Sequence, residues 1–120
     1  MSAKILYVDD EDTLRFLVKE QLSAEGFDVV VAEDGEAAME SMKEQPFDVV
    51  LLDILMPGMD GFSVLKEIKK LPNQPRVIML TGVSEISTAV ETLKNGANDY
   101  ITKPYDLKDL ISCINRVLAR

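Results

Sequence analysis

Four runs of apolar residues, each stopping at a polar residue with chemistry to offer, constrain this chain more than anything else in it. Ile5-Leu6-Tyr7-Val8 ends in Asp9-Asp10, and Val49-Val50-Leu51-Leu52 ends in Asp53. Val77-Ile78-Met79-Leu80 ends in Thr81, and Tyr100-Ile101-Thr102 ends in Lys103-Pro104. Short apolar runs separated by helix-length stretches read as buried strands of a parallel sheet. Ligands of such sheets bind outside the carboxyl ends of the strands. Three carboxylates, a hydroxyl and an ammonium are therefore expected on one rim of one sheet, as a functional site.

The intervening segments carry helical spacing. Asp12 is a candidate N-cap, followed by Leu14, Leu17, Val18 and Leu22 on one face, with Gly26 as the left-handed residue that ends the helix. Asp28-Val29-Val30-Val31-Ala32 reads as another strand. Asp34 can cap a short helix with Ala38 and Met42 inward, stopped by Pro46. Met56-Pro57-Gly58-Met59-Asp60-Gly61 forms a tight loop before a helix with Val64, Leu65 and Ile68 inward. Ser84 opens the next helix, with Ile86, Ala89, Val90 and Leu93 inward and Gly96 closing it. Asp106 caps the last, whose stripe is Leu107, Leu110, Ile111, Ile114 and Val117. The methionines fill core and loop. The result is (βα) repeated five times, an α/β three-layer sandwich. Periodicity alone does not order its strands.

A length of 120 residues with 47% hydrophobic content suits one domain, spanning 1–120, with a real core. A net charge of -8 repels phosphate backbones and anionic bilayers, so neither nucleic acid nor membrane is an expected partner of this segment. No run approaches the roughly 20 apolar residues of a membrane span. Met-Ser-Ala-Lys leads directly into the first strand without room for a signal peptide, so a cytoplasmic location is expected. The single cysteine, Cys113, excludes an intrachain disulfide and reads as a small, partly buried side chain.

Two carboxylates about 5 Å apart repel by roughly 3 kcal/mol at an effective dielectric of about 20. Three on one rim must take up protons or share a cation. With no histidine in the chain and no cysteine nearby, the all-oxygen set selects a hard ion, and Mg²⁺ fits it. Lys103 adds a fixed positive charge and Thr81 a donor for an oxyanion. Cation, ammonium and hydroxyl are the parts that stabilise a transferring phosphoryl group, and a carboxylate among them can be its acceptor.

Over its whole length the chain resembles a receiver domain of bacterial two-component response regulators. The resemblance is carried by Asp9-Asp10, Asp53, Met56-Pro57-Gly58-Met59-Asp60-Gly61, Thr81-Gly82, Tyr100 and Lys103-Pro104, in order and each at its strand end. It implies a flavodoxin-like five-stranded parallel sheet in the order 2-1-3-4-5. It implies that Asp53 accepts phosphate from the phosphohistidine of a sensor kinase or phosphotransfer protein. Asp10, Asp53 and the carbonyl of Leu55 would bind Mg²⁺, with Asp9 contacting it through water. Thr81 and Lys103 would bind phosphoryl oxygens, and the Lys103-Pro104 bond would be cis. Thr81 and Tyr100 would form a switch that changes the face of the fourth helix, fifth strand and last helix toward an effector or an attached output domain. By bare pattern Tyr100 is a half-buried strand aromatic. Leu55 and Val83 would flank the path of an attacking water, which implies slow self-dephosphorylation. In this reading the chain is a phosphoacceptor rather than an enzyme in its own right.

Three other readings compete. Asp10-Glu11-Asp12 after an apolar strand imitates the nucleophile motif of Mg²⁺-dependent haloacid dehalogenase phosphatases, but it leaves Asp53 without a role. A receiver fold that only binds partners would lack an acid, the lysine or the acceptor, and this chain lacks none. The domain could also be the regulatory part of a longer transcription factor or output enzyme.

Overall fold

The structure is a computed structural model that describes residues 2–56, 58–82 and 86–120. Pro57 of the tight loop, Val83 and the expected helix start Ser84 lie outside the described residues. Strands β1 (Lys4–Val8), β2 (Asp28–Ala32), β3 (Val49–Asp53), β4 (Arg76–Thr81) and β5 (Asp99–Thr102) alternate with helices α1 (Asp12–Ala24), α2 (Gly35–Glu44), α3 (Gly61–Ile68), α4 (Ile86–Lys94) and α5 (Leu107–Leu118). The strands form one parallel sheet in the order 2-1-3-4-5. The (βα)5 three-layer architecture and its strand order are those expected.

Side chains alternate across each strand, so the sheet feeds two cores. Leu6, Val8, Val50, Leu52, Val77 and Met79 pack with α2, α3 and α4 residues such as Ala38, Val64, Leu65, Ile68 and Ala89. Ile5, Tyr7, Val49, Leu51, Ile78 and Leu80 pack on the other face with Val18 and Leu22 of α1 and Leu110, Ile114 and Val117 of α5. Each fully buried Leu or Ile contributes about 1.5–3 kcal/mol. Covering both faces explains why these strands are continuously apolar. In β5, Tyr100 packs on one core and Ile101 on the other, each half-buried.

The helix signals hold at most positions. Asp34 accepts from the Ala37 amide, and Asp106 and Asp109 form a capping box. Gly26 and Gly96 sit at φ 98° and 106°, the left-handed region that follows a helix end. Other expectations need correction. Asp12 is not the N-cap of α1: Glu11 holds that position without a side-chain cap, and the Asp12 carboxylate is paired with Arg15. Leu17, Ile86 and Val90 are not inward but 45%, 38% and 42% exposed. In α1 the row Leu14, Val18, Leu22 faces the sheet and leaves Leu17 on the flank. In α4 the inward residues are Ala89 and Thr92, with Leu93 beside them. Thr92 tolerates full burial because its hydroxyl donates to the Ala89 carbonyl at 2.6 Å. Cys113 is fully rather than partly buried, and burial pushes its thiol up to about 11, so it is inert near neutral pH.

At the β5 edge Asp99 binds Arg116 at 3.1 Å and Arg120 at 3.3 Å. Burial raises its carboxyl, but the Tyr100 amide and these two guanidinium groups outweigh it and hold it below the ordinary value. A depressed native pKa contributes stability above the unfolded value of about 4 and loses it as pH falls through the native one. Asp99→Asn should therefore lower stability by about 0.5–1 kcal/mol at pH 7, in the range of exposed ion pairs. Denaturant melts should show the gap closing as pH falls below the ordinary carboxylate range; a gap independent of pH would refute this.

Candidate functional site

Placing β1 beside β3, with Val8 registered to Leu52, brings the residues after Val8 and Leu52 side by side. Asp9 is fully buried, Asp53 is 5% exposed and Asp10 is exposed, and each offers a carboxylate oxygen within 4.8 Å of the others. Lys103 reaches across from the end of β5. Its Nζ donates to Asp53 Oδ2 at 3.0 Å and to Asp9 Oδ2 at 3.4 Å. The Lys103-Pro104 bond is cis, and the Lys103 amide donates to the Thr81 carbonyl at 2.6 Å. The structure thus joins Asp9, Asp10, Asp53 and Lys103 in one cluster.

Burial raises the Asp53 carboxyl above its usual range, with Lys103 pulling against that and Asp9 adding to it. Burial alone would lower Lys103, but the Asp53 and Asp9 carboxylates outweigh it and raise the ammonium above its ordinary value. Lys103 is therefore a permanent cation at neutral pH. Three carboxylates against one ammonium leave a negative excess that a divalent cation can offset.

Leu55 and Thr81 adjoin this cluster. The Leu55 amide donates to Asp53 Oδ1 at 3.3 Å, while its side chain is 61% exposed at the rim. Thr81 is buried, and its hydroxyl donates to the Gly82 carbonyl at 3.1 Å rather than to a carboxylate. Met79 is registered to Tyr100 and Thr81 to Thr102, so Thr81 and Tyr100 lie on the same sheet face. The backbone of Asp53 is held from both sides. The Ile54 amide donates to the Leu80 carbonyl at 3.1 Å, and the Gly61 amide to the Ile54 carbonyl at 2.9 Å. Gly61 packs so closely that a Cβ there would stand 2.3 Å from the Asp53 carbonyl oxygen. Only glycine fits at that position.

Two site residues escape sequence reasoning. Tyr7 donates to Asp9 Oδ2 at 3.1 Å, and its oxygen lies 2.7 Å from the Tyr105 oxygen. Strand alternation gave a faint signal for Tyr7, two residues before Asp9 on the same face; nothing in the sequence pointed to Tyr105. The Glu11 amide donates to Asp9 Oδ1 at 2.9 Å, and Arg15 Nη1 donates to the Asp9 carbonyl at 2.7 Å. Asp9 thus has both carboxylate oxygens engaged. A pocket of about 350 Å³, lined by Glu11, Leu14, Lys103, Pro104 and Tyr105, opens beside the lysine.

The sequence profile of the response regulator receiver domain matches residues 5–115. The probable transcriptional regulator ycf27 of Porphyridium aerugineum is 42% identical over 117 residues, covering 98% of this chain and 48% of that protein. The chain thus spans about half the length of that relative. The chemotaxis protein CheY of Bacillus subtilis (strain 168) is 40% identical over 119 residues, covering 98% of this chain and 99% of CheY. The crystal structure of the receiver domain of NtrX from Brucella abortus superposes with a TM-score of 0.90 at 38% identity, covering 96% of this chain and 98% of that one. By profile, sequence and fold, the chain belongs to the response regulator receiver domain family.

Proposed function

We propose that Asp53 is the phosphoacceptor of a two-component relay, receiving phosphate from the phosphohistidine of a sensor kinase or phosphotransfer protein. The observation that carries this reading is the Lys103 ammonium shared between Asp53 and Asp9 within a cluster of three carboxylates. An Asp53 oxygen attacks phosphorus, a P–O bond forms, and the P–N bond to the donor imidazole breaks with its electron pair leaving on nitrogen. Lys103, already on Asp53 Oδ2, follows the negative charge onto the phosphoryl oxygens. Thr81 joins it by turning its hydroxyl away from Gly82.

The donor set fits Mg²⁺, being all oxygen. Asp10 and Asp53, with the Leu55 carbonyl, would hold it directly; Asp9, whose oxygens are already engaged by Glu11, Tyr7 and Lys103, would reach it through water. When bound, such an ion offsets the charge that builds up on the phosphoryl oxygens. The chain is stoichiometric in this reading: nucleophile and stabilising groups are its own, and the phosphate is the donor's. The reading places it in the cytoplasm, with the ATP from which such donors draw phosphate. Its output is a free effector, as full-length similarity to CheY suggests, or an attached domain, as half-length similarity to ycf27 suggests.

Three outcomes test the reading. Acetyl phosphate with Mg²⁺ should add one phosphate by intact mass; Asp53→Ala and EDTA should each abolish it, and incorporation that persists in Asp53→Ala would overturn the assignment. The switch is tested separately. Phosphorylation adds a charge of roughly -1.5 to -2 at the rim. Movement of Thr81 toward it opens space on the face that Tyr100 shares. Thr81→Ala should still be phosphorylated but should lose the amide shift changes of α4, β5 and α5 in NMR spectra; unchanged shift changes would disprove the coupling. Finally, the apolar Leu55 beside Asp53 cannot orient an attacking water, so the phosphoprotein should be long-lived. Leu55→Asn should shorten its half-life severalfold in a decay course with excess Mg²⁺, and an unaltered half-life would exclude shielding by Leu55.

A further inference from the structure

The phenols of Tyr7 and Tyr105 are accounted for neither by packing alone nor by the phosphoacceptor reading. A carboxylate only accepts hydrogen bonds, and a phenol has one proton to donate. Tyr7 gives its proton to Asp9 Oδ2, so the 2.7 Å bond between the phenols must be donated by Tyr105. The order is therefore fixed as Tyr105 to Tyr7 to Asp9. It runs from the residue after Pro104, two past Lys103, into the carboxylate that Lys103 also binds.

On Asp9 Oδ2 the phenol and the ammonium compete. Lys103 stands at 3.4 Å from this oxygen and at 3.0 Å from Asp53 Oδ2. We propose that Tyr7, backed by Tyr105, is a positioning residue that keeps Asp9 satisfied and in place so that Lys103 is free to leave it for the phosphoryl group. The inference rests on the phosphoacceptor reading above. Without the Tyr7 hydroxyl, Lys103 is the remaining donor on Asp9 Oδ2 among the described residues. Carboxylate and ammonium then close on each other. Asp9 is withdrawn from the cation, and Lys103 from the phosphoryl oxygens.

The chain of donors makes a prediction that packing does not. Tyr105 touches the carboxylate only through Tyr7, so its effect must disappear when the Tyr7 hydroxyl is gone. Mg²⁺ affinity, read by titration calorimetry with the metal alone, is compared for wild type, Tyr7→Phe, Tyr105→Phe and the double variant, each checked for folding by thermal melting. Tyr7→Phe should weaken Mg²⁺ binding about tenfold or more, the scale of a hydrogen bond to a charged group. Tyr105→Phe should weaken it about two- to threefold. The double variant should bind no more weakly than Tyr7→Phe. Phosphorylation by acetyl phosphate at saturating Mg²⁺ should also slow in Tyr7→Phe. Unchanged or tighter Mg²⁺ binding by folded Tyr7→Phe overturns the proposal, and so do additive effects in the double variant. Should Tyr7→Phe fail to fold, the half-buried Tyr105→Phe decides alone: wild-type Mg²⁺ affinity there refutes the relay. Asp10→Asn separates the two levels of the argument. If it binds Mg²⁺ like wild type, the cation site itself is wrong and both readings fall; if it does not and Tyr7→Phe does, only the positioning role falls.

Discussion

Like charge crowded onto one rim is the constraint around which this domain is arranged. Three carboxylate oxygens within 4.8 Å oppose folding, and two of their groups are almost wholly removed from water. The ammonium of Lys103 bridges the buried pair, and it can do so only because β5 lies beside β4 and the chain turns inward after Thr102. The sheet order, the lysine's position and the tolerance for buried acids are thus one property. A fold with these strands in another order would leave Asp9 and Asp53 as isolated buried charges, which cost several kcal/mol each.

In the phosphoacceptor reading, the same arrangement makes the cluster reactive. A carboxylate in a relaxed, solvated setting has little to gain from a cation or a phosphoryl group. Asp53 is buried, offset by one positive charge and held by the Leu55 amide, so it retains unmet electrostatic demand. Much of the unfavourable energy of folding the site is thereby returned when charge of the right sign or geometry arrives.

Much of this was legible in the chain because polar residues ending apolar runs report position directly. Asp9, Asp10, Asp53, Thr81 and Lys103 all fall where strand ends predicted. The features that escaped depend on rotation or on distant contact. Leu17, Ile86 and Val90 have the right spacing for a buried stripe, yet a helix lying on a sheet buries only its central row. Thr92 is polar by type yet buried, because its hydroxyl donates to the Ala89 carbonyl. Asp12 looked like a cap until Arg15 claimed its carboxylate. The contact of Tyr7 with Tyr105 spans 98 positions, which no local periodicity can encode.

The close approach of Gly61 bears on where motion can go. The Asp53 carbonyl is packed against this glycine, and the next residue is tied to Leu80 on one side and to Gly61 on the other. In the phosphoacceptor reading, the Asp53 backbone therefore has no room to recoil when a group is added to its side chain. It behaves as an anvil. On that reading, any displacement the added charge demands would pass through hydroxyls and side chains, toward the β4–β5 edge of the sheet and away from the helix that begins at Gly61.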